Sequence, residues 1–222
     1  MANKKSHPAP DLSAEQRIRA AALKEFSERG IEGARMQAIA DRAGVNKALL
    51  HYYFRSKDKL FEIIIRDIAE SIWRNIRVSL EERPQNLDLR SVVRLLVSSF
   101  INAFSQQPEI PRILIRQMLN KDKNVPVIAG NIIKAVGTAP KRILSLLDKE
   151  IRARRIKNVD RIQLMMNIMG MILATFLSQP VAEIVKQITG LGIVYDRKFY
   201  ETRIDFITDM VFDGILVKEH AS

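Results

Sequence analysis

Between Met36 and Leu60 the chain gathers side chains suited to gripping another molecule: Gln37, Asn46, Lys47, His51, Tyr52, Tyr53 and Lys57, with Arg35 just ahead of them. They do not assemble a catalytic set. The three histidines, His7, His51 and His220, are scattered, and the sequence has no Glu-x-x-His metal spacing, no glycine-rich phosphate loop and no plausible Ser-His-Asp group. With no cysteine, disulfides, thiolate metal sites and cysteine nucleophiles are all excluded. What remains is non-covalent chemistry. A glutamine amide or lysine ammonium bonds adenine or guanine edges, a small side chain such as Ala48 meets a thymine methyl, and tyrosine hydroxyls and lysines bond phosphate. The expectation is recognition of double-stranded DNA, with no catalytic residue, metal or cofactor.

Such side chains need short, rigid elements. Ser13 and Gln16 have capping-box spacing, in which the hydroxyl and the amide satisfy free backbone groups at a helix start. Ile18, Ala21, Ala22 and Phe26 then share one helical face, and Gly30 is a natural terminator. A short helix fits Met36 to Ala43 with Ile39, Ala40 and Ala43 inward, and Gly44 closes it. Val45 plugs the turn, a third helix runs from about Lys47 to Tyr53, and Ser56 caps a fourth that carries Leu60, Ile64, Ile68 and Ile72 until Pro84 stops it. Two short helices joined by a glycine turn make a helix-turn-helix, whose second member fits a major groove roughly 12 Å wide.

The ordered set Ile39-Ala40, Ala43-Gly44-Val45, Tyr52-Tyr53-Phe54 and Ser56-Lys57-Asp58-Lys59-Leu60, behind Ala21-Ala22, Phe26 and Gly30, resembles the TetR family of transcriptional regulators. The resemblance covers about residues 13–64. It departs at Arg35, where the family usually has a Ser or Thr that caps the second helix, and at His51, where an aromatic, commonly Tyr, opens the cluster. A guanidinium can pair with phosphate but supplies no capping oxygen. The residues expected to touch DNA are Arg35, Gln37, Asn46, Lys47, Ala48, His51, Tyr52, Tyr53 and Lys57. Lys57, at a helix N-terminus, is expected on a phosphate. Lys4 and Lys5 of the N-terminal arm either reach a minor groove or stay solvated.

Beyond Pro84 every periodic segment reads as helix. Val92, Leu96, Phe100 and Phe104 form a stripe ending at Pro108, and helices fit Pro111 to Asn120, Val125 to Val136, Pro140 to Arg155, Asp160 to Ser178 and Asp196 to Lys218. The segment between the last two is marked by Pro and Gly and is read as a connection. The cluster Arg152, Arg154, Arg155 and Lys157 is read as complementing a helix dipole. The fold class is all-α: a flexible arm (1–12), a three-helix DNA-binding domain (13–60) and a larger helical effector-binding and dimerisation domain (61–222).

The apolar run Leu164 to Leu177 must be covered on more than one side, and Tyr200, Ile204, Ile207, Val211 and Ile215 form a second stripe. Together they suit a homodimer closed by a four-helix bundle, as the resemblance also implies. Its expected surface comprises Met166, Ile172, Phe176, Ile204, Ile207, Val211 and Ile215. The resemblance further implies a palindromic operator, repression as the common habit, and a small-molecule effector, here apolar or amphipathic. Trp73, Phe100, Phe104, Met118, Met165 and Met169, with Gln117 and Asn167 as polar contacts, could line its pocket or be plain core. The alternative is a regulator or architectural DNA-binding protein with no effector.

The charge balance agrees. Of 36 Lys and Arg against 25 Asp and Glu, net +11, residues 1–60 hold 12 basic and 7 acidic side chains, a net of +5. The excess is densest where the motif lies. No apolar run reaches the roughly 18 residues a membrane span requires, and no apolar stretch follows the N-terminal lysines, so no membrane partner and a cytoplasmic location are expected.

Overall fold

A computed structural model describes residues 13–82, 88–119 and 125–216. The arm with Lys4 and Lys5 therefore lies outside the described residues. Among them the chain is helical throughout: α1 (Ala14–Gly33), α2 (Met36–Ala43), α3 (Lys47–Phe54), α4 (Lys57–Glu82), α5 (Leu89–Gln106), α6 (Glu109–Leu119), α7 (Val125–Val136), α8 (Ala139–Arg152), α9 (Arg161–Leu177), α10 (Gln179–Thr189) and α11 (Arg197–Ile215). The extended pairing is one isolated bridge, Ile156 with Leu216. Two compact units divide the chain, residues 1–65 and 66–222.

In the first unit the capping box forms as its spacing predicts, with the Ser13 hydroxyl accepting from the Gln16 amide and the Gln16 side chain accepting from the Ser13 amide. Gly30 bends α1 rather than ending it. Its φ of 70° breaks the helical run, and one further turn reaches Gly33. Ile18, Ala22 and Phe26 of α1, Ile39 and Ala40 of α2, Leu50 and Phe54 of α3, and Leu60 and Phe61 of α4 close a single core. The Phe26 and Phe61 rings meet edge to face at 5.6 Å. Truncating any of these large side chains to alanine removes about 2–5 kcal/mol, a large share of a small domain's stability.

In the second unit α5 packs along α11, with ion pairs Arg94 to Asp205 at 2.7 Å and Arg90 to Asp209 along their edge. The buried face of α5 is Val92, Val93, Val97, Ile101 and Phe104, so the predicted stripe is turned: Leu96 and Phe100 are only half-buried. Asp88, Asp160 and Asp196 each cap a helix with the carboxylate. In the basic cluster after α8, Arg155 bonds Glu150 and the Lys157 ammonium donates to the Gly214 carbonyl near the end of α11.

Candidate nucleic-acid interface

The geometry of α2 and α3 follows from three local features. Gly44 takes the left-handed conformation, φ 64° and ψ 38°, and its N–H reaches the Ala40 and Asp41 carbonyls, while the Val45 N–H donates to Ala40 O at 3.0 Å. Asn46 then caps α3, its side-chain oxygen accepting from the Leu49 N–H at 2.7 Å. Leu50 and Phe54, four residues apart, are buried, which fixes the opposite side of the helix outward. α1 supports the pair from behind: Arg17 donates to the Ala43 carbonyl at 3.1 Å, and Arg42 makes a two-pronged bond to Glu28 at 2.9 and 2.7 Å. That bond holds the Glu28 carboxyl below its ordinary range and raises Arg42.

The outward side carries Lys47, Ala48, His51, Tyr52 and Tyr53, all exposed, with Arg35 and Gln37 exposed at the start of α2. Tyr52 is 73% exposed and stands edge-on to Tyr53 at 5.5 Å. Gln37 donates to Asp41 at 2.8 Å, so that amide is already oriented along α2. Arg35 precedes α2 without a side-chain cap, as its chemistry requires. The His51 ring bonds the Arg55 carbonyl at 3.1 Å, which occupies its Nδ1.

Two residues are placed differently from expectation. The Asn46 side chain is engaged as the α3 cap, leaving its amide N–H groups as the free donors. The Lys57 ammonium reaches back to the Glu32 and Ala34 carbonyls, at 3.0 and 3.2 Å, where α1 ends. It therefore ties α1 to α4 and keeps one N–H for any other acceptor. Arg55, not singled out from the sequence, is an exposed cation with φ 60° between α3 and α4. Its left-handed backbone is uncommon for a side chain of this size.

The sequence of residues 18–64 matches the family model described as bacterial regulatory proteins, tetR family. RutR of Escherichia coli K12, a helix-turn-helix transcriptional regulator, is 23% identical over 198 residues, spanning 89% of this chain and 88% of its own. Residues 18–64 thus form a TetR-family segment, and the chain is similar to such regulators beyond it. It is a DNA-binding transcriptional regulator, and regulators of this family act as dimers. NicS of Pseudomonas putida, a transcriptional repressor, is 30% identical over 122 residues, covering 51% of this chain and 55% of NicS. A TetR family transcription regulator from Marinobacter aquaeolei VT8 shares the fold, with a TM-score of 0.65 at 17% identity over 93% of this chain and 97% of that one.

The second unit departs from the other expectations. Ile172, Phe176, Ile204, Ile207, Val211 and Ile215, expected at the dimer surface, are buried inside the protomer, where α9 and α11 face α5. A side chain already covered by its own chain offers little to a second one. Met166 alone of that set is exposed. The apolar side chains these helices leave uncovered are Ile162, Met165, Met166 and Leu177 on α9 and Phe206 and Met210 on α11. Between them Arg203 donates to the Thr175 hydroxyl and the Met171 carbonyl, and burial lowers its pKa.

Nor do the expected pocket residues converge. Met165 and Asn167 are on the exposed side of α9 and cannot line a cavity within one protomer, while Met169 is half-buried. The Met118 side chain lies outside the described residues. Trp73, Phe100 and Phe104 do form a continuous edge-to-face run, 6.0 and 5.9 Å between centroids, which continues from Phe104 to Phe176. Gln117 is 2% exposed, and its Oε1 has no hydrogen-bond partner among the described residues. An open cleft of about 830 Å³ between α5 and α11, lined by Arg94, Ser98, Asn102, Tyr195 and Tyr200 among others, contains none of the predicted pocket residues.

Proposed function

We propose that the protein is a repressor that binds a palindromic operator as a dimer and is released by an apolar or amphipathic small molecule. Residues 13–60 read the duplex, and residues 61–222 carry dimerisation and effector binding. The observation that carries the DNA reading is the division of α3: Leu50 and Phe54 are locked into the core while Lys47, Ala48 and Tyr52 stand free on the other side. A helix held so firmly by one face can present the other to a major groove without losing order.

Base edges fall to Gln37, Lys47 and Ala48, and to the free amide of Asn46. Arg35, Tyr52 and Tyr53 serve the backbone, with His51 and the remaining Lys57 N–H beside them. The dimer supports a two-fold site because one short reading helix buries too little surface for specificity. Its face is supplied by the exposed side of α9 and α11, including Met166, Phe206 and Met210. Repression is supported by the likeness to NicS, a transcriptional repressor. Effector release is supported by the buried Gln117, whose Oε1 has no hydrogen-bond partner among the described residues, since such an atom costs free energy until a donor reaches it.

The test is a salt titration with matched and mismatched duplexes. Gln37→Ala and Lys47→Ala should each relax preference at a single base position, costing about 1–3 kcal/mol there. Uniform loss across all sequences would assign both residues to the backbone instead. Small molecules that raise the melting temperature and release DNA establish the effector; if stabilising ligands never release DNA, the protein is a regulator without one.

A further inference from the structure

No residue of α10 is buried, although Val181, Ile184, Val185 and Ile188 on it are large and apolar. Leu191, Ile193 and Val194 follow at once, and all seven are between 45% and 77% exposed. An isolated helix of this length is marginal in water, because most helical stability in proteins comes from packing an apolar face. A contiguous apolar patch of this kind marks a surface that something else covers. We propose that α10 and residues 191–194 form an intersubunit arm that packs on a second copy of this chain. The inference rests on the dimer reading and extends it to a segment outside the α9 and α11 face.

Continuity identifies the occupant. The uncovered side of α9 passes through Ile162 and Met166 to Leu177, and the apolar pattern resumes at Val181, Ile184 and Ile188 after the break at Ser178. The two helices bend by 44° at that break, so α10 departs from the line of α9 as an arm would. Charge argues the same way. In a protein of net charge +11, α10 carries only Glu183 and Lys186, so DNA has little to bind here, whereas α10 and residues 191–194 of a second copy offer an equally apolar surface. Val181, Val185, Leu191 and Ile193 also line a groove of about 430 Å³ that can receive an apolar side chain from the partner.

The experiment uses the full chain. Ile184→Glu with Ile188→Glu alters two exposed positions, so the protomer should keep its helical circular dichroism. Sedimentation equilibrium should then show the dimer dissociation constant raised about tenfold or more. Because the chain has no cysteine, a nitroxide on Ile188→Cys reports one site, and it should be immobilised in the dimer and freed on dilution. Met166→Glu with Phe206→Glu serves as the comparison on the main face. If those two substitutions produce monomers while the α10 pair leaves the dissociation constant unchanged and the label mobile, the arm is refuted and the dimer stands. If the unaltered chain is monomeric at about 10 μM, the dimer reading fails first and the arm with it. Loss of phosphatidylcholine vesicle binding in the α10 pair, with dimerisation intact, would give the surface to a membrane and overturn the proposal.

Discussion

Replacing Gly44 by alanine isolates the cost of the hinge that orients α3. The residue sits at φ 64°, and a Cβ built there meets no atom within 4 Å. Steric clash with the rest of the protein is therefore absent, and the penalty is conformational alone. A left-handed residue with a Cβ costs roughly 1–2 kcal/mol, partly offset by the smaller entropy of the unfolded alanine chain. The net loss should be about 1 kcal/mol, and Gly44→Asn should lose less because asparagine tolerates this region. Native-state hydrogen exchange at Val45 and Leu50, whose N–H groups donate to Ala40 and Asn46, reads the local opening. Exchange should quicken by about 5-fold in the alanine variant. A loss above about 3 kcal/mol would require a clash the structure does not contain, and no loss at all would mean that the turn does not hold this conformation in solution.

Asn46→Ala should cost about 1 kcal/mol by removing the α3 cap, whereas Asn46→Asp should retain most of it; chemical denaturation compares them. Lys57→Met removes two bonds to the end of α1 and should lower stability by about 1–2 kcal/mol. The slope of log affinity against log salt should fall by about one unit if the remaining N–H meets a phosphate; an unchanged slope would confine Lys57 to the α1 end. Because the bond to Arg42 lowers the folded pKa of Glu28, its contribution is present above the unfolded carboxylate range and is lost as pH falls through the lowered folded value. Glu28→Gln should therefore flatten the acid limb of the stability profile below about pH 4.3, and an unaltered limb would show that the pair does not form.

The reading head was legible because local rules decide it. Ser13 with Gln16, Gly44 and Ser56 act on their own backbone, and the spacing of Ile39, Ala40 and Ala43 fixes an inward face whatever surrounds it. Lys57 was less legible, since its carbonyl partners lie 25 and 23 residues away. The body needed information that periodicity does not hold. A stripe such as Ile204, Ile207, Val211 and Ile215 announces that a face is covered but not by what, and here the cover is α5 of the same chain. The side chains free to meet a partner, Phe206 and Met210, fall off that stripe and look like incidental apolar surface. α10 was hidden by its own end signals. Pro180 stands in its first turn and Gly190 is its left-handed cap, and both read from sequence as interruptions.

The central claim is that α3 enters a major groove and does so twice, once from each copy of the chain. Selecting bound duplexes from a random pool with the full-length protein tests it most directly. The selected sequences should converge on a palindrome whose half-sites are centred about one helical turn, roughly 34 Å, or a multiple of it apart. Convergence on a single non-repeated site, or no enrichment at any salt, would contradict it.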